Sequence, residues 1–336
     1  MITRRQFIST TSILGTGIIS SNGIGGIPIA ETSNATRKVL KIAFGSCNRQ
    51  DLSQKYWLTI AKENPDIWIW LGDSIYADYF TESLRRSAYN SIKNNKYYKT
   101  LSEYTSIIGT WDDHDYAFNN TGIDFHDKEG SKSAFLDFIG EPRQSERRSR
   151  SGIYTSELFG HENQQIEIIL LDLRSFRPEE DSNADLLGAS QWAWLESKLS
   201  NDQPKVRIIG SSIQFLTDYK KKDAWANFPA SRQRMLDLLA GSQVPTIFIS
   251  GDRHLAEFSR LERNESHPIY DITSSGLTHS SDHSNKNKHR VGNQHFERNF
   301  GVLTFNWTNE NQIGSVIASV HNPDSGEIIS SMSCDF

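Results

Sequence analysis

From Val39 onward, short apolar runs alternate with amphipathic stretches, and no other feature of the sequence constrains the fold as strongly. The runs VLKIAF, IWIWL, SIIGTW, QIEIILLDL, VRIIGS and TIFIS read as strands, and QKYWLTIAKE, SAFLDFIG, ASQWAWLESKL and SRQRMLDLLA between them read as helices. The last helix is opened by Pro229 and Ser231 and closed by Gly241. Strand–helix–strand repetition of this kind predicts an α/β fold with a mainly parallel sheet. Beyond Arg253 the runs FSRLE, IYDITSS, FGVLTFNW, IGSVIASV and EIISSMS follow without helices and predict a second sheet. The polar, Tyr/Lys/Asn-rich segment at about 80–104 is expected to be a helical insertion outside the core, and SSDHSNKNKHRVGNQHFERN a His-rich loop.

Several classes fall away. No apolar stretch approaches the ~20 residues needed to cross a bilayer. Lys plus Arg number 36 against 41 Asp plus Glu, so no overall basic field draws the chain to nucleic acid or anionic membrane. Two cysteines, Cys47 and Cys334, allow at most one disulfide and no zinc ribbon. At the start, Arg4 and Arg5 precede a weakly apolar Gly/Ser/Thr-rich stretch that is free of acids and ends near Ala30. Residues 1–30 therefore read as a twin-arginine export signal, with the export machinery as partner, a periplasmic or secreted location, and 31–336 as the functional domain.

In an open α/β sheet, ligands bind beyond the carboxyl ends of the strands. Here those ends are polar: GSC at Cys47, GDSIY at Asp73 and Tyr76, WDDHD at Asp112 to Asp115, DLRSFR with Asp172, Arg174 and Arg177, Gln214, and SGDRH at Asp252 and His254. Packing has no use for such a set, so it reads as a metal site. Asp73, with two carboxylate oxygens, could bridge two ions. Tyr76, three residues on, is expected one turn into an opening helix, and Asp252 and His254, two apart, share a face if extended. Thiolate, phenolate, carboxylate and imidazole donors suit Fe³⁺, and a subsite of carboxylate and amide oxygens suits Ca²⁺, Mg²⁺ or Mn²⁺.

The motifs GSC, GDSIY, TWDDHD, LDLRSFR, LLGASQWAWLESKL, WANFPASRQRMLDLL, SGDRH and DITSSG, in order from about Val39 to Gly276, resemble the alkaline phosphatase D (PhoD-like) branch of the metallophosphoesterases. The resemblance implies a four-layer sandwich of two mixed β-sheets flanked by helices. It implies an iron held by Cys47, Asp73, Tyr76 and His254 with Asp73 bridging, and a calcium-like subsite with Asp113, Asp252 and Gln214. His114 matches the histidine that contacts substrate or protonates the leaving group, with Asp115 expected to orient it. Arg174 looks like a phosphate clamp, seconded by Arg177.

The implied reaction is attack of metal-activated water on a phosphoester, the substrate being a small molecule, a lipid or a polymer. The competing readings are a phospholipase D-like phosphodiesterase, a non-catalytic exported phosphate- or metal-binding protein, and a domain stapled by a Cys47–Cys334 disulfide. Cys47 is expected to be free, because a ligand thiolate cannot also be in a disulfide. The loop carrying His279, His283, His289 and His295 is a candidate third metal subsite.

Overall fold

A computed structural model of the protein describes residues 41–336 apart from 79–80, 161–162, 179–183, 265 and 310–311. The export signal expected over 1–30 lies outside the described residues. The chain runs through β1 (Lys41–Gly45), α1 (Trp57–Lys62), β2 (Ile67–Leu71), α2 (Glu82–Asn94), α3 (Lys96–Ser102), β3 (Ser106–Thr110), α4 (Asp113–Tyr116) and α5 (Lys128–Ile139). It continues with β4 (Thr155–Phe159), β5 (Ile166–Leu170), α6 (Gly188–Leu199), β6 (Val206–Ser211), α7 (Pro229–Ala240) and β7 (Thr246–Ser250). The last elements are β8 (Ala256–Leu261), β9 (Ile269–Ser274), β10 (Arg290–His295), β11 (Phe300–Asn309), β12 (Gln312–His321) and β13 (Ile328–Cys334).

Two mixed sheets result, one ordered β13-β12-β11-β1-β2-β3 and the other β10-β8-β9-β7-β6-β5-β4. Strands β1, β2 and β3 run parallel, as do β5, β6, β7 and β9. Strand alternation sorts the side chains into layers. Ile42, Phe44, Ile67, Ile69 and Leu71 of the first sheet meet Ile168, Leu170, Ile208, Ile247 and Ile249 of the second in one core. Trp68 and Trp70 point the other way and interlock edge-to-face with Trp57 of α1. Ile169, Ile209 and Phe248 face α6 and α7 on the far side. Helices, sheet, sheet and helices thus make the expected four layers.

The details correct the sequence reading in four places. The β-rich C-terminal runs do not form a sheet of their own: β8, β9 and β10 extend the second sheet, and β11, β12 and β13 extend the first. The segment at about 80–104 is helical but not peripheral. Its polar average hides an apolar stripe, and Ala88, Tyr89, Ile92, Tyr98 and Leu101 are buried against the first sheet's outer face. The His-rich segment contains β10, which pairs with β8 through a register shift, and the edge strand β4 was too polar (TSELF) to be recognised.

Candidate active site

The parallel strands of both sheets deliver their carboxyl ends to one place, and the loops there are strained. Cys47, Asp73, Asp252 and His254 have φ of 61°, 47°, 67° and 56°, a left-handed conformation that costs non-glycine residues roughly 1–3 kcal/mol each. The backbone thus corrects two expectations. Asp252 and His254 are not extended, and no helix opens between Asp73 and Tyr76, since α2 begins only at Glu82. Two glycines permit the close approach of these loops. At Gly72, with φ of 91°, any Cβ would collide with Asp112, and at Gly251 it would sit 2.6 Å from Ser46 Oγ.

On one side of Asp73 gather a thiol, a phenol and imidazoles. Cys47 Sγ lies 3.6 Å from Asp73 Oδ2 and 3.3 Å from Ser275 Oγ, which in turn accepts the His254 N–H at 2.8 Å. Tyr76 Oη donates to the same Asp73 oxygen at 3.3 Å and lies 3.1 Å from His254 Nε2 and 3.2 Å from His279 Nε2. Burial pushes the Cys47 thiol up to about 12, against hydrogen bonds from Ser275 and Ser46. Burial, then the Cys47 and Asp73 charges, raises the Tyr76 phenol, and burial lowers His254. Both cysteines are buried and free, so no Cys47–Cys334 disulfide staples this protein.

On the other side carboxylates meet arginines. Arg174 donates through Nε to Asp112 at 2.5 Å and through an Nη to Asp223 at 2.9 Å, and it lies 3.8 Å from Asp113. Arg177 also pairs with Asp223. Burial raises the Asp113 carboxyl, but Arg174, His114 and the Asn120 N–H outweigh it and hold the group low. Burial and the neighbouring aspartates push Asp112 up to about 6 and Asp252 up to about 8. Asp73 is raised by burial first, then by the charges of Cys47, Asp113, Asp112 and Asp115, and its Oδ1 is buried with no partner.

Two role assignments change. Arg174 is fully buried among carboxylates and does not line the cavity, so its guanidinium braces the acidic loops; a phosphate clamp would need to face solvent. Arg177, engaged by the same Asp223, is buried as well. Asp115 does not orient His114. Its carboxylate accepts the N–H groups of Ser74, Ile75 and Asp112 and the Tyr89 hydroxyl, tying the loop after β2 to α4. The His114 partner is Asp78, 2.5 Å from Nδ1. A carboxylate two residues past Tyr76 was visible in the sequence, but nothing there aimed it at His114.

Gln214 is buried, and its amide nitrogen donates to Glu257 and Thr273, leaving Oε1 without a partner. Of the four histidines expected to share a subsite, His279 reaches Tyr76 and His283 lines the cavity. His295 is instead paired in β10 with Ala256, and the His289 carbonyl accepts from Arg260. A strand therefore separates the set. Sequence reasoning also passed over Asp223, hidden behind three lysines, and Arg253 inside SGDRH.

Among the described residues, two triads offer ligand atoms within 4.8 Å of one another: Cys47, Asp73 and His254, and Asp73, Asp113 and His114. The unpartnered Asp73 oxygen, the raised acids and the thiol all demand positive charge, so the residues fit metal ions. Above them opens a cavity of about 350 Å³, lined by Asp73, His114, Asp252 and His254 among others.

A family model described as PhoD-like phosphatase matches residues 42–324. No curated protein matches by sequence. Among solved structures, one described as PhoD is 17% identical with a TM-score of 0.62, over 89% of this chain and 73% of that one. The purple acid phosphatase PPD1 of yellow lupin (Lupinus luteus) is 12% identical with a TM-score of 0.61, over 88% of this chain and 54% of its own. GAP50 of Plasmodium is 14% identical with a TM-score of 0.56, over 89% and 90%. These likenesses carry the fold.

Proposed function

The chain belongs to the PhoD-like phosphatase family and is a phosphoric ester hydrolase, and from that premise we propose that it is an exported, metal-dependent enzyme acting on phosphomonoesters and phosphodiesters through the Asp73 cluster. One observation carries the reading: Asp73 belongs to both triads of candidate ligand atoms. Cys47, Asp73, Tyr76 and His254 would hold one ion, and a set with thiolate and phenolate donors favours Fe³⁺. Asp73, Asp113, Asp252 and the free Oε1 of Gln214 would hold the other, whose oxygen donors favour Ca²⁺, with Mg²⁺ or Mn²⁺ as substitutes. When bound, such a pair supplies Lewis acidity toward phosphoryl oxygens and an activated water as nucleophile.

The chain's own groups do the rest. Asp78 lies 2.5 Å from His114 Nδ1 and Asp113 lies 4.0 Å from Nε2, so the imidazole ring is held between two carboxylates. His114 lines the cavity, where its ring is placed to act as the proton donor to the leaving oxygen. Arg174 and Arg177 hold Asp112 and Asp223 in place from behind. Export rests on the arginine pair at Arg4 and Arg5. No helix among the described residues is long and apolar enough to cross a membrane.

Hydrolysis of bis(p-nitrophenyl) phosphate and p-nitrophenyl phosphate by purified protein tests the proposal. The expected result is turnover abolished by chelator and restored by iron with calcium. The diester/monoester ratio then separates a phosphatase from a phosphodiesterase, the phospholipase D-like reading included. Absence of turnover of both esters by metal-loaded protein would overturn the proposal.

A further inference from the structure

One wall of the cavity is cationic, although the chain as a whole is acidic. Lys220, Lys221 and Lys222 line it, all exposed, in the connection between β6 and α7. Among the described residues none of the three makes an ion pair. The nearest acid in sequence, Asp223, also lines the cavity, but its Oδ2 is bonded to Arg174 and Arg177 and it makes no ion pair with the lysines among the described residues. The lysine turn is held in place, since Asn227 Nδ2 donates to the Lys222 carbonyl at 3.0 Å.

Arg253 is the second, independent sign of a ligand. It lines the same cavity, is only 7% exposed, and its Nε is buried without a partner. Among the described residues its guanidinium forms no ion pair; its one ring contact is with Tyr219, whose centroid lies 5.9 Å away. Burying a guanidinium without an acceptor is costly, so a buried one left open toward a cavity is poised for an anion from outside.

We infer that Arg253 and Lys220, Lys221 and Lys222 form an outer anion subsite, which takes a second phosphate of the substrate beside the scissile ester. The inference rests on the phosphoesterase reading and narrows it to phosphoesters that carry a further phosphate group. At about 350 Å³ the cavity is near the lower end of ligand sites, roughly 300–1,000 Å³, with room beyond a lone phosphoryl group. Asn119, Asn120, Asn227 and Ser281 add uncharged polar groups to the lining, and Asp223, the one acid beside the lysines in sequence, is bonded to Arg174 and Arg177. The subsite therefore selects for charge, while the acidic floor around Asp73 serves the ester under attack.

Calorimetric titration of the purified protein with thymidine 3′,5′-bisphosphate and with thymidine 5′-monophosphate tests this, because the two probes differ by one phosphate. The bisphosphate is expected to bind about tenfold more tightly at low salt, with the preference shrinking by roughly 0.5 M salt as exposed charges are screened. Replacing the lysines together (Lys220→Gln, Lys221→Gln, Lys222→Gln) should bring the affinity ratio to within about twofold of one, and Arg253→Gln should lower it as well. Equal affinities in the unaltered protein, or a ratio that survives both variants, would overturn the inference. Turnover of bis(p-nitrophenyl) phosphate, measured alongside, keeps the two readings apart. Turnover with no affinity preference overturns the outer subsite alone, whereas preference with no turnover supports the subsite and counts against the hydrolase reading.

Discussion

On one side of Asp73 stand a thiol, a phenol and two imidazoles, none of them ion-paired among the described residues; on the other, Asp112, Asp113 and Asp223 are laced to Arg174 and Arg177. The carboxylate side is buried and the thiol side is buried at Cys47 and half-buried at Tyr76, His254 and His279, but the main difference lies in who supplies the countercharge. The carboxylate side carries its own cations and can be formed by folding alone. The thiol side, with Cys47 pushed up to about 12, stays neutral until a cation arrives from outside. A preassembled half beside an incomplete half means that, under the proposed function, metal affinity on the thiol side would be set by proton release, and that removing an internal arginine should damage the fold before the chemistry.

The sharpest way to break this comparison is at the residue both sides share. Asp73→Asn should lower kcat/KM by about a thousandfold and strip bound metal from both sides, as read by elemental analysis. Retained metal and turnover would mean that the two sides are independent. Next in size is Arg174→Ala, which leaves Asp112 buried without its arginine and Asp223 with Arg177 alone, and should cost about 3–5 kcal/mol in chemical denaturation. A loss under about 1 kcal/mol would show that the carboxylate side is not self-compensated.

Asp78→Asn should lower kcat by roughly 10–100-fold and flatten the pH profile, with stability changed by less than about 1 kcal/mol. An unchanged rate would remove Asp78 as the positioning partner of His114.

The smallest effect is a pH dependence. A carboxyl whose folded pKa lies above its unfolded value binds its proton more tightly when folded, so it destabilises the fold progressively as pH rises past the unfolded value. Starting from 3.8, Asp112 is raised to about 6, Asp115 to about 7 and Asp252 to about 8, in each case by burial first. In chelator, stability should fall on the order of 1–3 kcal/mol between about pH 4 and pH 8, and added metal should reverse the trend. Urea midpoints at the two ends check this, and stability rising with pH in chelator would contradict it.

Much of the site was legible because its residues sit immediately after apolar runs, where α/β geometry puts ligands: Cys47 after KIAFG, Asp73 after IWIWL, Asp252 and His254 after TIFIS. Asp78 and Asp115 show where legibility stops. Both are aspartates close to a histidine or tyrosine motif, yet one meets His114 and the other caps backbone amides of a different loop. Arg174 and Arg253 were likewise equivalent as charges in the sequence. Burial turned the first into an internal brace and left the second facing the cavity.

The alternation of strands and helices, the two mixed sheets through the resemblance, and the positions from which the candidate functional groups come could all be read along the chain. Those follow from local periodicity and from the rule that loops at strand ends carry the chemistry. The partners were set by three-dimensional packing. It returned the C-terminal strands to both sheets, put the stripe of α2 and α3 into the core, and turned Arg174 inward and Asp78 onto His114. The physical reason is that a charge's role depends on which opposite charge and how much water lie within a few ångströms, and those distances are fixed between residues far apart in the chain.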